Sequence, residues 1–326
     1  TVTGVQTCAL PILISMVYVG AKERTADEIK ATLHLSLPQD RLMLELEGLL
    51  KRLLALKSIE LNFANSIWTD LRYDLKKTYI NIIKDFFHGA LQKTDFADRN
   101  QLCNKVNAWV KEKTKGKISN IISPSALDPR INLLLLNAIY FKGIWKDEFD
   151  PRLTEDAPFY LLSSGSTRIP LMYQKTRVPS AETENFQVLR LSYEDSALGS
   201  QAMTIFLPKE RYGLEKAEET IRVETLNAME GKLTTQEVKM YVPRFKMESQ
   251  HELKKHMMAL GMRNPFTLNA NFSGIVDPSV DYPPFIGEIV QKALLVVNER
   301  GSEAATATTV QMAPTAPLRR HEIPVF

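Results

Sequence analysis

The sequence predicts an α+β fold with large antiparallel or mixed sheets. Helical and strand patterns are interspersed along the chain without the regular strand–helix–strand rhythm of parallel-sheet proteins. No composition break, repeat or low-complexity linker divides the 326 residues, so we expect one large domain. Hydrophobic residues make up 44% and charged residues 24%. These values are typical of soluble globular proteins and exclude disordered, collagen-like and coiled-coil chains.

The first half of the chain contains five periodic segments. A capping box predicts that a helix begins at Thr25, with a glutamate three residues later. Alternation of apolar and polar residues over 59–63 predicts a half-buried strand. Apolar residues recur with the helical period over 79–87 and again over 102–110. The stretch 133–141 is nearly all apolar, which predicts a central strand covered on both faces.

The second half of the chain continues the alternation of element types. The strand patterns here alternate or are continuously apolar, and the helical ones carry a cap or a terminal glycine. We predict strands at 186–193, 201–208, 238–242 and 288–298, and helices at 214–229 and 249–260.

Charge and hydropathy exclude several classes of partner. The net charge is only +3, too small an excess to indicate nucleic acid or a membrane surface. The longest apolar stretch, 9–21, contains Pro11 and is shorter than the roughly 20 residues that a spanning helix needs. It also lacks the basic start of a signal peptide, because Lys22 follows it.

No catalytic or metal-binding pattern stands out. His251 and His256 are five residues apart, which places them about 140° apart on a helix, whereas zinc needs both on one face. No G-x-S-x-G elbow occurs. The two cysteines, Cys8 and Cys103, do not form a disulfide framework, and Cys103 fits a helical core position. We therefore predict no enzyme activity, no metal and no cofactor.

The first residues do not fit the rest of the chain. Residues 2–12 resemble the conceptual translation of a sequencing-adapter oligonucleotide. We expect residues 1–12 to be an artefact joined to a broken reading frame, so that the domain begins at Leu13. Cys103 is then the one cysteine that belongs to the protein.

The segment after the last long strand has an unusual composition. A stretch of almost only Gly, Ala, Ser and Thr follows Glu299. Ser302, Ala304, Thr306 and Thr308 would share one face of a strand. A flexible linker is the ordinary interpretation, but the stretch has one glycine and is rich in Thr and Ala. Small residues on one face would let this segment enter a sheet without steric clashes.

This segment resembles the hinge of the serpins, the serine-protease-inhibitor family. Five further stretches resemble serpin signatures in the family's order, so that the resemblance covers about residues 14–326. These stretches are 16–29, 107–118, 137–145, 242–246 and 272–275.

The resemblance implies a serpin fold, with three β-sheets, about eight helices and an exposed reactive-centre loop. It implies a single domain over residues 13–326. The first serpin helix would precede Leu13 and the last two barrel strands would follow Phe326, so we expect the domain to be incomplete.

The resemblance also implies a mechanism. A serpin is a suicide substrate, whose loop is cleaved by a serine protease and then inserts into the central sheet. Trp145 matches the position where insertion begins, and Gln291 stands where many members have a histidine that gates sheet opening. Arg300 replaces the family's more usual acid and is expected to face solvent. The matched hinge residues are Glu299, Gly301, Ser302, Glu303, Ala304, Ala305, Thr306, Ala307 and Thr308.

The leading interpretation is an inhibitor of serine proteases, and the alternative is a non-inhibitory serpin that acts as a carrier, storage protein or chaperone. The small hinge residues favour the inhibitor, because bulky or charged residues there are typical of non-inhibitory members. The partner is expected to be a serine protease, and the chain is expected to be a monomer.

Two placements of the scissile bond remain open. The family's spacing from Glu299 places it at Thr315–Ala316, which would suit an elastase-like protease. The stretch after Thr315 is about three residues longer than usual, which makes Arg319 or Arg320 available to a trypsin-like protease.

Extracellular localisation is the final expectation. Asn271 opens the sequon Asn-Phe-Ser and is a candidate glycosylation site, which favours secretion.

Overall fold

The computed structural model of the chain describes residues 4–54, 59–127, 131–161, 165–194, 201–277 and 282–302. The chain divides into two compact units. Unit 1 comprises 1–56, 61–141 and 247–295, and unit 2 comprises 57–60, 142–246 and 296–326. This division does not test the predicted domain span 13–326 or the artefact at 1–12, and both stay predictions.

Helices occupy both halves of the described chain. The last three are short, with five, eight and six residues. The described residues form α1 (Gly4–Tyr18), α2 (Glu23–Thr32), α3 (Gln39–Leu54), α4 (Lys77–Phe87), α5 (Arg99–Lys113), α6 (Leu214–Glu218), α7 (Val223–Glu230) and α8 (Lys254–Ala259). None of these helices is long and apolar enough to cross a membrane.

Strands lie between the helices and dominate the second half. The described residues form β1 (Ile59–Asp70), β2 (Ala90–Thr94), β3 (Leu133–Ile144), β4 (Glu155–Tyr160), β5 (Ser166–Glu182), β6 (Phe186–Ser192), β7 (Ala202–Pro208), β8 (Thr234–Pro243), β9 (Phe245–Glu252), β10 (Ile286–Asn298) and β11 (Gly301–Ser302).

The sheet of unit 1 has the strand order β2-β1-β3-β10-β9. β1 pairs with β2 in parallel, and β3 pairs in parallel with β10 between Leu133–Tyr140 and Ile286–Leu294. Every residue of β3 from Leu133 to Tyr140 is buried. The predicted central strand is therefore confirmed, and its continuous apolar run reflects cover on both faces.

The core of unit 1 joins the helices to this sheet. α1 supplies an almost continuous buried run that includes Leu13 and Met16. α4 turns Tyr79, Ile83 and Phe87 inward at helical spacing. Burial raises the pKa of Tyr79, and its hydroxyl donates to the Met16 carbonyl oxygen at 2.8 Å. The one polar atom of a large buried side chain is thus satisfied.

Unit 2 is built around β5, a strand of 17 residues. Its first six residues pair with β4, the segment from Leu171 to Ser180 pairs with β8, and its last three residues pair with β6, which pairs with β7. These five strands form one sheet, in which β5 is the strand that pairs with β4, β6 and β8. A small core packs Phe186 and Val188 of β6 against Ala217 of α6 and Met229 of α7.

Two predicted elements are wrong in detail. The segment 249–260 is not one helix, because residues up to Glu252 belong to β9 and α8 begins at Lys254. Backbone pairing in the sheet outweighs local helix preference here. The helix at Thr25 begins at Glu23 instead, and Thr25 lies inside α2, where its hydroxyl donates to Asn264 Oδ1 at 2.5 Å.

The helical stretch predicted over 214–229 is divided into α6 and α7. The two neighbouring strands predicted at 186–193 and 201–208 are confirmed as the antiparallel pair β6 and β7.

Candidate functional site

The hinge begins inside a sheet. Gly301 and Ser302 form β11, which lies between the ends of β3 and β10 in unit 2. Ser302 pairs with Val297 on β10 and with Gly143 on β3, antiparallel to both strands. Two hinge residues therefore already occupy the position of an additional strand.

The rest of the predicted hinge and both candidate scissile bonds lie outside the described residues. These positions are Glu303, Ala304, Ala305, Thr306, Ala307, Thr308, Thr315, Ala316, Arg319 and Arg320. Their roles stay predictions.

The side chain of Ser302 is held by an aromatic pair. Ser302 is fully buried, and its hydroxyl shares a hydrogen bond of 2.9 Å with the hydroxyl of Tyr193. The Tyr193 ring stacks on Trp145 with a centroid distance of 4.8 Å and an interplanar angle of 7°. Burial raises the pKa of Tyr193, so its phenol stays neutral. A larger side chain at Ser302 would have to displace this pair.

Glycines allow the backbones to approach closely at this point. A Cβ added to Gly301 would collide with the carbonyl oxygen of Gly143. A Cβ added to Gly143 would meet the ring of Tyr193 at 2.6 Å. Gly143 is required by space alone, whereas Gly301 is required both by space and by its positive φ of 158°.

Glu299 fixes the start of the hinge. It is buried, and its Oε1 accepts hydrogen bonds from Thr154 Oγ1 at 2.8 Å and from Arg244 Nη1 at 3.2 Å. Its backbone carbonyl accepts from the Phe149 amide at 2.9 Å. Arg300, beside it, is exposed, as expected from its departure from the family pattern.

Trp145 contacts the hinge at two further places. Its indole N–H donates to the Asn298 carbonyl at 2.9 Å, and its backbone amide donates to the Arg300 carbonyl at 2.9 Å. Asn298 Oδ1 in turn accepts from the amides of Arg300 and Gly301. We name Trp145, Tyr193, Asn298, Glu299 and Ser302 the hinge socket.

Gln291 lies in unit 1 within a chain of buried amides. Its Nε2 donates to Asn137 Oδ1 at 3.0 Å, and Asn137 Nδ2 donates to Asn65 Oδ1 at 2.6 Å. All three side chains are buried. This amide chain connects β10, β3 and β1 across the sheet of unit 1. It can therefore resist separation of β3 from β10.

The sequon asparagine lies at the surface of unit 1. Asn271 is half-buried, its Nδ2 donates to Glu23 Oε2 at 3.1 Å, and its Oδ1 accepts from the Ser273 amide at 3.1 Å. A glycan replaces one of the two amide hydrogens, so the remaining N–H could still donate to Glu23.

The cysteine and the histidines that were considered as catalytic or metal-binding residues do not lie together in a site. Cys103 is buried in α5, and burial raises the pKa of its thiol, which is the state of an unreactive core cysteine. His251 ends up on β9 and His256 on α8. Among the residues that the structure describes, no three His, Cys, Asp or Glu side chains are grouped as metal ligands would be.

The sequence did not single out several members of these clusters. Tyr193 is 109 residues from Ser302, and Asn65 is 72 residues from Asn137. Arg244 and Asn137 lie in recognised motifs, but no pattern indicates their partners. The position of Tyr193 at the end of a predicted strand was the one signal available.

Comparison with known proteins agrees with this geometry. The family model described as "Serpin (serine protease inhibitor)" matches residues 8–324. An uncharacterised serpin-like protein of Thermococcus kodakarensis is 33% identical over 96% of this chain and 72% of its own length. The leukocyte elastase inhibitor of Bos taurus is 32% identical over 90% of this chain and 79% of its own.

A solved structure gives the same result. Serpin48 of the insect Tenebrio molitor superposes with a TM-score of 0.81 at 26% identity, covering 94% of this chain and 82% of that one. The α+β serpin fold expected from the sequence is confirmed, and the chain belongs to the serpin family.

Proposed function

We propose that the protein is a suicide-substrate inhibitor of serine proteases, with no catalytic activity of its own. The observation that carries this proposal is β11, in which Gly301 and Ser302 pair with both β3 and β10. The target's serine would attack the scissile bond and form an acyl-enzyme. The released loop would then continue from Ser302 as a new strand and carry the protease with it.

The geometry of the sheet favours this insertion. β3 and β10 run parallel to each other in unit 1. A strand that enters antiparallel to both replaces one parallel pairing with two antiparallel ones, which are slightly more stable per residue. Each inserted residue would gain partners for both its N–H and its C=O.

The length of the loop supports Thr315–Ala316 as the scissile bond. β10 contains 13 residues, and its last two, Val297 and Asn298, already pair with Ser302 and Gly301. Eleven residues of β10 are left for the loop, and insertion of residues 303–313 would pair with them, so cleavage after Thr315 would leave two residues beyond the strand. Cleavage after Arg320 would leave seven residues, 314–320, beyond it.

An elastase-like protease is the target that this placement supports. Thr315 is small, which suits a shallow specificity pocket, whereas Arg319 or Arg320 would suit a trypsin-like pocket with a buried acid. The name of the leukocyte elastase inhibitor, a 32% identical relative, points in the same direction. Mass spectrometry of the peptide released by each protease tests the choice. A stable complex cleaved after Arg320 would overturn it.

The test of the mechanism is Ser302→Arg. The arginine would have to enter the position that Ser302 occupies beside Tyr193, and burying an unpaired charge is unfavourable by several kcal/mol. We expect cleavage by elastase to continue while the covalent complex disappears, and Ser302→Ala to keep it. If Ser302→Arg still inhibits at a stoichiometry near one, insertion from the hinge socket is not the mechanism.

Secretion as a monomer completes the proposal. It is supported by the sequon at Asn271, whose side chain is accessible enough to carry a glycan while one N–H contacts Glu23. Peptide mass mapping of the protein from its natural source tests it. A naturally produced protein whose Asn271 carries no glycan would remove this support.

A further inference from the structure

Unit 1 contains a preformed cleft outside the hinge socket. Its volume is about 230 Å³, and it lies between the loop that follows α5 and strands β9 and β10. Ile121, Ile122 and Leu127 form the wall on the loop side, and Val290 lies on the strand side. A cleft of this size, just below the usual range for ligand sites, suits a molecule with a single ring.

The wall on the loop side is held by side-chain hydrogen bonds. Asn107 Oδ1 accepts from the amides of Ile121 and Ile122 at 2.8 and 3.2 Å, and its Nδ2 donates to the Ile122 carbonyl at 3.0 Å. Gln250 on β9 donates to the Ile121 carbonyl at 3.1 Å. The cleft is thus rigid before any ligand enters, which reduces the entropy lost on binding.

The two charged side chains that line the cleft are both acidic, and the ammonium of Lys292, which donates to the carbonyl of the lining residue Asn120, is paired with Glu248. The two acidic side chains are Glu252 and Glu288, and neither forms an ion pair with another described residue. Glu288 Oε1 accepts from the amides of Lys254 and Ile289, both at 3.0 Å, which fixes its position. Two carboxylates beside apolar walls attract a cation and disfavour an anion.

We infer that this cleft binds a small organic cation, a primary amine or guanidine carried on an apolar ring. The ring would contact the isoleucines and Val290, and the cationic group would lie between Glu252 and Glu288. The ligand would join the loop after α5 to β10, beside the attachment of Lys292 to the Asn120 carbonyl at 2.5 Å.

Binding would also regulate insertion. Strand insertion requires β10 to separate from β3, and a ligand that ties β10 to the loop opposes this movement. This consequence rests on the proposed function, whereas the binding does not. A saturating concentration of the amine would therefore slow insertion, so that a larger fraction of the acyl-enzyme would be hydrolysed before the protease is trapped.

The binding experiment uses phenethylamine as the probe, titrated calorimetrically into the full chain. Phenylacetate and 2-phenylethanol are the anionic and neutral probes with the same ring. We expect a Kd on the order of 1 mM for the amine, as is usual for so few atoms, and no saturable binding of the acid. Glu252→Gln and Glu288→Gln should each weaken binding at least about 5-fold.

The variants are chosen to preserve the fold. A glutamine at 288 still accepts from both amides through its Oε1, and Glu252 is exposed. Glu224→Gln, on an exposed position of α7, is the matched control and should bind like the unmodified chain. Three results would overturn the site. The amine does not bind, or the three probes bind equally, or Glu224→Gln weakens binding of the amine as much as the cleft variants do.

The regulatory consequence is measured separately, as the stoichiometry of elastase inhibition with and without the amine. We expect the stoichiometry to rise at least about 2-fold in the unmodified chain and to stay constant in Glu288→Gln. Binding without this rise overturns the coupling. A chain that binds the amine but inhibits no protease supports the site and contradicts the proposed function.

Discussion

At the scale of single residues, the hinge socket depends on the small size of Ser302. Its hydroxyl is satisfied by Tyr193, whose ring is fixed by stacking on Trp145. Such a pair contributes about 0.5 to 1.5 kcal/mol beyond the area it buries. Indole and phenol groups thus position Ser302, the first residue of the strand that is proposed to insert, while Gly301 lets the backbones meet.

Tyr193→Phe tests the hydroxyl alone, because the ring and its stacking remain. Ser302 then loses the partner of its hydroxyl, and β11 should open more often, by about 2- to 12-fold, which corresponds to about 0.5 to 1.5 kcal/mol. Amide hydrogen exchange of a peptide containing Gly301 and Ser302 measures this. Tyr241→Phe, on a more exposed ring of β8, is the control. Unchanged exchange in Tyr193→Phe would contradict the prediction.

Asp70 gives a prediction for pH. Burial raises the pKa of its carboxyl, but hydrogen bonds from the Arg72 amide and guanidinium and from the Phe96 amide outweigh burial and hold the pKa below its ordinary value. A carboxyl with a depressed pKa stabilises the fold above its unfolded pKa of about 3.9, and this contribution disappears as the pH falls through the folded pKa.

We therefore expect Asp70→Asn to lower the free energy of unfolding by about 1 to 3 kcal/mol at pH 7. The difference from the unmodified chain should shrink as the pH falls below about 4. Urea unfolding at a series of pH values measures this. Asp74→Asn, at an almost fully exposed side chain, is the control. A difference that grows toward low pH would reverse the assigned sign.

At the scale of elements, β1, β3 and β10 are connected by the amide chain of Asn65, Asn137 and Gln291. The resemblance places a histidine of many members at position 291, and the glutamine here donates to Asn137 Oδ1 at 3.0 Å. Breaking the chain at Asn137 removes a partner from both neighbours, so its cost exceeds the loss of one hydrogen bond.

A double-mutant cycle of Asn137→Leu and Gln291→Leu tests this coupling. Each single change should destabilise the chain by about 1 to 3 kcal/mol. The double change should cost at least about 0.5 kcal/mol less than the sum, because the two residues share one hydrogen bond. Urea unfolding provides the free energies. The control cycle pairs Asn137→Leu with Met229→Ala, from the separate core of unit 2, and should be additive. Additivity in the first cycle would mean that no coupling exists.

At the scale of the whole molecule, the proposed function requires a native state that is not the most stable one. β10 and β3 are paired in parallel where a longer β11 could give antiparallel pairs on both sides. A serpin that acts as a carrier or storage protein does not require loop insertion in order to trap a protease. The response to loop cleavage therefore distinguishes the two functions.

We expect cleavage within 303–320 to raise the melting temperature by at least about 10 °C, which corresponds to about 7 kcal/mol for a chain of this size. Calorimetry before and after digestion with elastase measures the change. Cleaved Ser302→Arg should show no such rise, because its hinge cannot insert. A cleaved unmodified chain that melts at the original temperature would favour the non-inhibitory alternative.

The sequence by itself determined most element types and the family, and it predicted the position of the hinge. These depend on local properties: the period of apolar residues, the run of small residues after Glu299, and the order of short motifs. Central strand β3 could be predicted because its residues are buried on both faces. The predicted helix over 249–260 was wrong because backbone pairing within a sheet is decided by residues far along the chain.

Only the tertiary structure decided which side chains meet. Ser302 lies against Tyr193, Glu299 against Arg244, and Gln291 against Asn137, at sequence separations of 109, 55 and 154 residues. One hydrogen bond between distant residues leaves no periodic trace in either segment. Its formation depends on the packing of both segments, which is why the contacts of the hinge socket could not be predicted from the sequence.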